Sequence, residues 1–212
     1  MENLLLQRNK YGTKFKSKSQ TQRCTATTFV APVTVTEMER VIASLNKNAL
    51  AGSDEIPMLV IKQCMGYIMK PLVHICNVSL QYGIFPDQME IAKIKPLFKN
   101  GDKHNMQNYR PISVLSAFSK VLKKLMYYRL LPFLKKYHLL TEFQHGFREN
   151  KSTETAILSF IECAGSFRHQ RKAIGIFLDL SKAYEVINHK TLLDKLDSYG
   201  LRGTINNWFQ SY

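Results

Sequence analysis

The chain has 212 residues, 45% of them hydrophobic and 22% charged, the composition of a globular protein long enough to bury a core. Its 30 Lys and Arg against 16 Asp and Glu leave a formal charge of +14, which points to a polyanionic partner, nucleic acid before an anionic membrane. Four cysteines stand far apart without a CxxC pair, arguing against a zinc knuckle or a disulfide framework, and no apolar run approaches the roughly 20 residues of a membrane span. The start has too short an apolar segment for a secretory signal, so an intracellular chain, nuclear or cytoplasmic and without a membrane partner, is expected.

Residues 1–33 read as a basic, mobile arm carrying Arg8, Lys10, Lys14, Lys16 and Lys18. Thr36 then resembles an N-cap, with Glu37 and Glu39 in the first turn and Met38, Val41, Ile42 and Leu45 at helical spacing. Ala51-Gly52-Ser53-Asp54-Glu55-Ile56-Pro57 is a turn-rich loop. From Met58 to Tyr82 the apolar spacing predicts two helices, punctuated by Gly66 and Pro71 and ended at Gly83.

Ile91 to Lys99 alternates apolar and basic residues, the period of a half-buried strand. Asn100-Gly101-Asp102 predicts a hairpin turn, with Tyr109, Arg110, Pro111 and Ile112 on the return arm. Such a hairpin gathers Lys95, Lys99, Lys103 and Arg110 into a flap able to hold a triphosphate, Arg by a planar fork and Lys as a point charge. An edge strand guarded by lysines against aggregation explains the same spacing.

Ser113 to Leu131 is the clearest helix, with an apolar stripe from Leu115 to Leu130 opposite Lys120, Lys123 and Lys124. Pro132 starts a short second helix through Tyr137. In Gln144-His145-Gly146-Phe147-Arg148, Gly146 permits a backbone shape denied to other residues, and Arg148 is a candidate for phosphate or base contact. A helix over 153–167, capped by Ser152, follows.

The run Ile174, Gly175, Ile176, Phe177 and Leu178 predicts a central strand buried on both faces and closed by Asp179. Asp179 caps the next helix or carries chemistry. Beyond Glu185, Leu192, Leu193, Leu196 and Tyr199 line a helix ended by Gly200, and Thr204 begins another with Trp208.

Four blocks now stand in order: Gly52 to Pro57, Asn108 to Ser113, Gln144 to Arg148, and Phe177 to Tyr184. Together they resemble the reverse transcriptase domain of non-LTR, LINE-like retrotransposons, over about residues 34–212. The resemblance implies an α+β right-hand polymerase: fingers over 34–172 and the start of the palm over 173–212, mostly helical with a β-hairpin and one central strand. It implies that Asp179 and the backbone carbonyl of Leu180 bind Mg²⁺, and that Tyr184 packs under the incoming sugar. It implies that Arg110, helped by Lys99, grips the triphosphate, and that Gln144 and Arg148 lie near template and nucleotide. The implied partners are an RNA template, a DNA primer and deoxynucleoside triphosphates. Tyr184-Glu185 stands where Phe-Asp is usual, and no aromatic-x-Asp-Asp motif occurs in these residues. The chain is therefore expected to be inert alone, one carboxylate being too few for two metal ions. A non-catalytic nucleic-acid-binding module and a remnant of a decayed element are the competing readings.

Overall fold

The computed structural model describes residues 23–165, 175–179 and 187–212. Eight helices and one two-stranded sheet occupy the described residues: α1 (Val35–Ser44), α2 (Met58–Gln63), α3 (Met65–Tyr82), α4 (Asp87–Glu90), β1 (Ala92–Phe98), β2 (Tyr109–Leu115), α5 (Ala117–Lys136), α6 (Thr153–Gly165), α7 (His189–Ser198) and α8 (Thr204–Gln210). The content is mixed and mainly helical.

Local chemistry sets the helix starts. Thr34, two residues before the expected cap, accepts the Glu37 N–H on its hydroxyl at 3.2 Å, so α1 begins two residues earlier than the sequence suggested. The predicted break near Gly66 falls at Cys64, and Gly66 and Pro71 lie inside α3. Gly83 ends α3 in the left-handed conformation, with φ of 67°, and a methyl there would stand 2.4 Å from the Thr204 carbonyl oxygen. Ser116 caps α5 by accepting from the Ser119 N–H at 3.1 Å. Ser113 to Leu115 thus belong to β2, and α5 runs through Pro132 to Lys136 without a second helix.

One apolar core joins distant parts of the chain. Met38, Val41 and Ile42 of α1 meet Met58 and Ile61 of α2, Leu72, Cys76 and Leu80 of α3, Val121, Leu122 and Leu125 of α5, and Trp208 of α8. Phe85 is fully enclosed and meets Trp208 edge-on at 5.2 Å. The last residues therefore close the same core that the first helices open.

Of the expected N-terminal arm, residues 1–22 lie outside the described part. Residues 23–33 run across the body as a held strap. Cys24 and Thr28 donate to the carbonyls of Ser198 and Gly200, at 2.8 and 3.1 Å. Val33 exchanges two hydrogen bonds with the Asn77 amide, at 2.6 and 3.2 Å. Arg129 forks onto Glu37 at 2.7 and 3.1 Å and also donates to the Ala31 and Pro32 carbonyls.

The expected central strand is not formed over its described part. Residues 175–179 carry no strand, and Ile176, Phe177 and Leu178 are 80 to 86% exposed. A strand needs a neighbour for its N–H and C=O groups, and the only sheet among the described residues is the β1–β2 pair. No helix among the described residues is long and apolar enough to cross a membrane.

Candidate nucleotide and nucleic-acid interface

The hairpin pairs antiparallel, Lys95 opposite Ile112, Pro96 opposite Pro111 and Leu97 opposite Arg110. Side chains alternate across a strand, so Lys93, Lys95 and Leu97 share one face with Arg110 and Ile112. The Lys99 N–H donates to the Asn108 carbonyl at 2.8 Å, which carries the ladder one step further and sets Lys99 on that same face. Lys103 departs from the expected group: its ammonium lies 5.9 Å from the centre of the Phe98 ring, whose strand position faces the other way. The connection is longer than a tight turn. It runs from 99 to 108, with Gly101 at φ of 88° and a 3-10 turn over Met106–Asn108.

Three of the expected cations, Lys95, Lys99 and Arg110, are exposed on the shared face, and among the described residues none of them makes an ion pair. Like charges on one face of a two-stranded ribbon repel and are not compensated from within, which favours a multivalent anion there.

The first block anchors the base of this flap. Gly52 sits so close to the β2–α5 junction that a methyl on it would stand 2.5 Å from the Ser116 nitrogen and 2.7 Å from the Leu115 carbonyl carbon. Ser53 donates to the Ile91 carbonyl at 3.4 Å, and Lys93 reaches the Glu55 carboxylate at 3.3 Å. Lys120 donates to the Leu50 carbonyl. Burial lowers the Lys120 ammonium below its usual range, with Asp54 acting in the opposite sense. Two of the four sequence blocks are thus one physical unit, a loop wedged under a hairpin.

The third block forms turns ahead of α6. His145 meets the Thr155 hydroxyl at 2.9 Å, and the Gln144 amide donates to the Gly146 carbonyl at 3.1 Å. The left-handed residue here is Phe147, at φ of 59° and 92% exposed, and not Gly146 as the sequence suggested. Arg148 is half-buried, and its Nη1 is enclosed without a hydrogen-bond partner among the described residues. A guanidinium nitrogen without an acceptor is costly, so this group is receptive to an anionic or carbonyl oxygen.

In the fourth block, Asp179 is exposed at the end of the 175–179 segment, and Phe177 meets the Phe160 ring of α6 at 5.8 Å. Leu180, Tyr184 and Glu185 lie outside the described residues. No hydrogen bond, ion pair or ring contact among the described residues joins the hairpin to Gln144, Arg148 or Asp179. No group of three or more His, Cys, Asp or Glu able to hold a metal ion occurs among them. The exposed carboxylate of Asp179 has the hard-oxygen chemistry that Mg²⁺ prefers, and it belongs to no such group among the described residues.

Two features escaped the sequence reading. The Arg129 clamp joins residues about a hundred apart, and no spacing rule signals such a pair. The aromatic partners of Lys124 are Tyr127 and Tyr128, at 5.1 and 4.8 Å, a pattern visible at i+3 and i+4 on a helix.

Residues 99–212 match the family described as reverse transcriptase (RNA-dependent DNA polymerase). The chain is similar to the probable RNA-directed DNA polymerase from transposon BS of Drosophila melanogaster, 27% identical over 79% of this chain and 19% of that protein. It is 28% identical to the RNA-directed DNA polymerase from mobile element jockey of the same organism, over 78% of this chain and 18% of that protein. The probable polymerase from transposon X-element, again of Drosophila melanogaster, is 28% identical over 76% of this chain and 18% of its own length. The chain thus spans about a fifth of the length of these relatives. The resemblance carried by the four motif blocks is borne out, relatives and family agreeing on polymerases of non-LTR retrotransposons. By the match of its larger part, the chain belongs to the reverse transcriptase (RNA-dependent DNA polymerase) family.

Proposed function

We propose that these residues form the fingers and the first part of the palm of an RNA-directed DNA polymerase, and that the hairpin face holds the triphosphate of the incoming deoxynucleotide. The observation that carries this reading is the convergence of Lys95, Lys99 and Arg110 on one exposed face of a hairpin whose base is fixed by the Gly52 loop. Arg110 offers a planar fork for two phosphate oxygens, and the lysines add charge without geometric demand. Gln144 and Arg148 stand on a separate turn, where the unpartnered Nη1 suits a template or nucleotide oxygen.

Asp179 is assigned to metal binding together with the Leu180 carbonyl, and Tyr184 to the sugar, on the strength of the family resemblance. The metal, when bound, supplies charge stabilisation to the attacking and leaving oxygens of nucleotidyl transfer. One carboxylate does not hold Mg²⁺ firmly, since the ion surrenders its water reluctantly. We infer that the 212-residue chain binds nucleotide and nucleic acid without extending a primer.

The test is a titration of the chain with a fluorescent deoxynucleoside triphosphate. Arg110→Ala is expected to weaken binding about tenfold, and Lys99→Ala less, as the loss of one charge-assisted contact implies. Equal affinity in the parent and Arg110→Ala would remove the hairpin from the nucleotide site. A chimera in which these residues replace the matching stretch of the jockey polymerase examines the palm: Asp179→Ala should abolish its primer extension and spare its nucleic-acid binding. Residual synthesis would return Asp179 to helix capping.

A further inference from the structure

We propose that Lys120, on α5 and outside the hairpin, is a positioning residue for the triphosphate face: it pins the loop of residues 50–57 under the hairpin root and so sets where Lys99 and Arg110 stand. The inference rests on the reading that this face holds a triphosphate, and adds to it the part that aims the face.

The hairpin needs such a pin. Ile94 on one face and Leu97 and Ile112 on the other are exposed, so among the described residues no element covers the ribbon, and burial begins only at Val114 near its root. The direction of the flap is therefore set at the root alone. Arg110 lies five residues out from Leu115, roughly 17 Å at the rise of an extended strand. A root tilt of about 5° carries that position about 1.5 Å, enough to spoil a fork onto two phosphate oxygens.

The loop grips both roots. Gly52 is pressed against the Leu115 and Ser116 backbone, and Ser53 donates to the Ile91 carbonyl just ahead of β1. The loop closes on itself through the Glu55 N–H to the Gly52 carbonyl and the Ile56 N–H to the Asp54 carboxylate, both at 3.2 Å. Glu55 takes a left-handed φ of 55°, a shape that a residue other than glycine keeps when its surroundings impose it.

Lys120 imposes that shape from a rigid base. It stands in the first turn of α5, which Ser116 caps and which the Ser119 hydroxyl ties to the Met89 carbonyl at 2.8 Å. Its ammonium donates to the Leu50 carbonyl at the loop's entrance and is attracted by Asp54 at the turn. One cation thus holds the loop at two points, across 70 residues of sequence. A hydrocarbon of equal length fills the same space and holds neither.

The test is a titration of the whole chain with a fluorescent deoxynucleoside triphosphate, beside thermal melting. Lys120→Met should weaken binding about fivefold while melting falls by roughly 2 to 4 °C, the size of one lost charged hydrogen bond. Lys120→Arg, which still reaches a carbonyl and a carboxylate, should restore the parent affinity. Lys120→Gln, suited to a half-exposed site, gives the same reading if Lys120→Met fails to fold. Because the effect passes through the hairpin, Lys120→Met added to Arg110→Ala should change affinity little beyond Arg110→Ala alone. The same fivefold loss in both backgrounds would mean that Lys120 meets the nucleotide directly, and would overturn the positioning role. So would a loss that Lys120→Arg fails to restore, or unfolding of both the Met and Gln variants at the assay temperature. Parent affinity in Lys120→Met, with Arg110→Ala weakened, would overturn it and leave the triphosphate reading standing. Parent affinity in Arg110→Ala would sink both.

Discussion

The indole N–H of Trp208 donates to the Ser79 hydroxyl at 3.0 Å, and that hydroxyl in turn donates to the Ile84 carbonyl at 2.6 Å. This short relay crosses 129 residues of sequence and ties α8 to the end of α3 inside the core. A buried indole with its one polar atom satisfied contributes area and direction together. Trp208→Phe should lose about 1 kcal/mol, mainly the hydrogen bond. Trp208→Ala should lose roughly 3 to 5 kcal/mol through the cavity it opens. Denaturant titration of the two variants checks the order; similar losses would mean that the hydrogen bond, and not the buried ring area, dominates the contribution of Trp208.

Gly52 and Gly66 make opposite predictions from the same substitution. A methyl at Gly52 meets the Ser116 backbone at 2.5 Å, so Gly52→Ala should cost about 1 to 3 kcal/mol and loosen the base of the hairpin. Gly66 lies inside α3 with nothing within 4 Å of an added methyl, so Gly66→Ala should gain roughly 0.5 to 1 kcal/mol. Thermal melting of both reads the two signs; a gain at Gly52 would refute the packing described for the loop, and a loss at Gly66 would refute the open space described in α3.

Cys76 predicts a pH dependence. Burial pushes its thiol up from 9.0 to about 12. Below pH 9 both the folded and unfolded chains keep the proton, and the thiol adds no slope. Between 9.0 and about 12 the unfolded chain releases it first, so stability should fall with rising pH by at most about 1.4 kcal/mol per unit. Cys76→Ala should flatten that stretch of the pH profile. In the folded state near pH 8, Cys76 should resist alkylation by iodoacetamide until denaturant is added.

Ile176, Phe177 and Leu178 stand beside an α6 surface on which Ile157, Leu158 and Ile161 are each more than half exposed. Exposed apolar area of this extent favours association. Phe177→Asp should raise the concentration at which light scattering appears and should leave the melting temperature nearly unchanged, because the ring meets only Phe160 among the described aromatic residues. A large drop in melting temperature would mean that this segment is part of the folded core.

Nucleic-acid affinity should fall steeply with salt, as expected when lysines and arginines displace counterions from phosphates. The exposed hairpin cations Lys95, Lys99 and Arg110 should each contribute to the slope. An isotherm that scarcely moves between low and moderate salt would exclude phosphate contact as the source of binding.

Much of this architecture was readable from residue spacing. The stripe through Val121, Leu122 and Leu125 located α5, because helical periodicity there reports burial directly, and the alternation after Ile91 located β1; the half-burial expected of that strand is not found, since a ribbon of two strands with no element packed on it leaves Ile94 and Leu97 exposed. Detail was lost wherever two neighbouring residues offer the same chemistry. Thr34 and Thr36 are equally good caps, and only the Glu37 N–H decides between them. Asn100-Gly101-Asp102 looks like a complete turn, yet Asp102 and Asn105 each accept a backbone N–H two residues on and draw the loop out to Asn108. The strand expected before Asp179 failed for another reason: a pattern states what a segment would bury, and pairing requires a neighbour. At the candidate site, Lys99 and Arg110 were legible because a hairpin register links them. The enclosed Nη1 of Arg148 was not, since nothing in Gln144 to Arg148 announces what lies around it.

Pro96 opposite Pro111 has a consequence for the company this hairpin keeps. The bond from Lys99 to Asn108 makes that position a hydrogen-bonded pair, and pairs alternate, so the two prolines face each other at a non-hydrogen-bonded position. No ladder bond is sacrificed there. The N–H groups missing from the two prolines would have pointed outward, one from each side of the ribbon. Both margins are therefore mute at the same level, and a foreign strand attempting to zip along either one meets a gap in the donors it needs. A flap that shows Ile94, Leu97 and Ile112 to solvent thus stays a two-stranded finger and does not become the seed of a larger sheet.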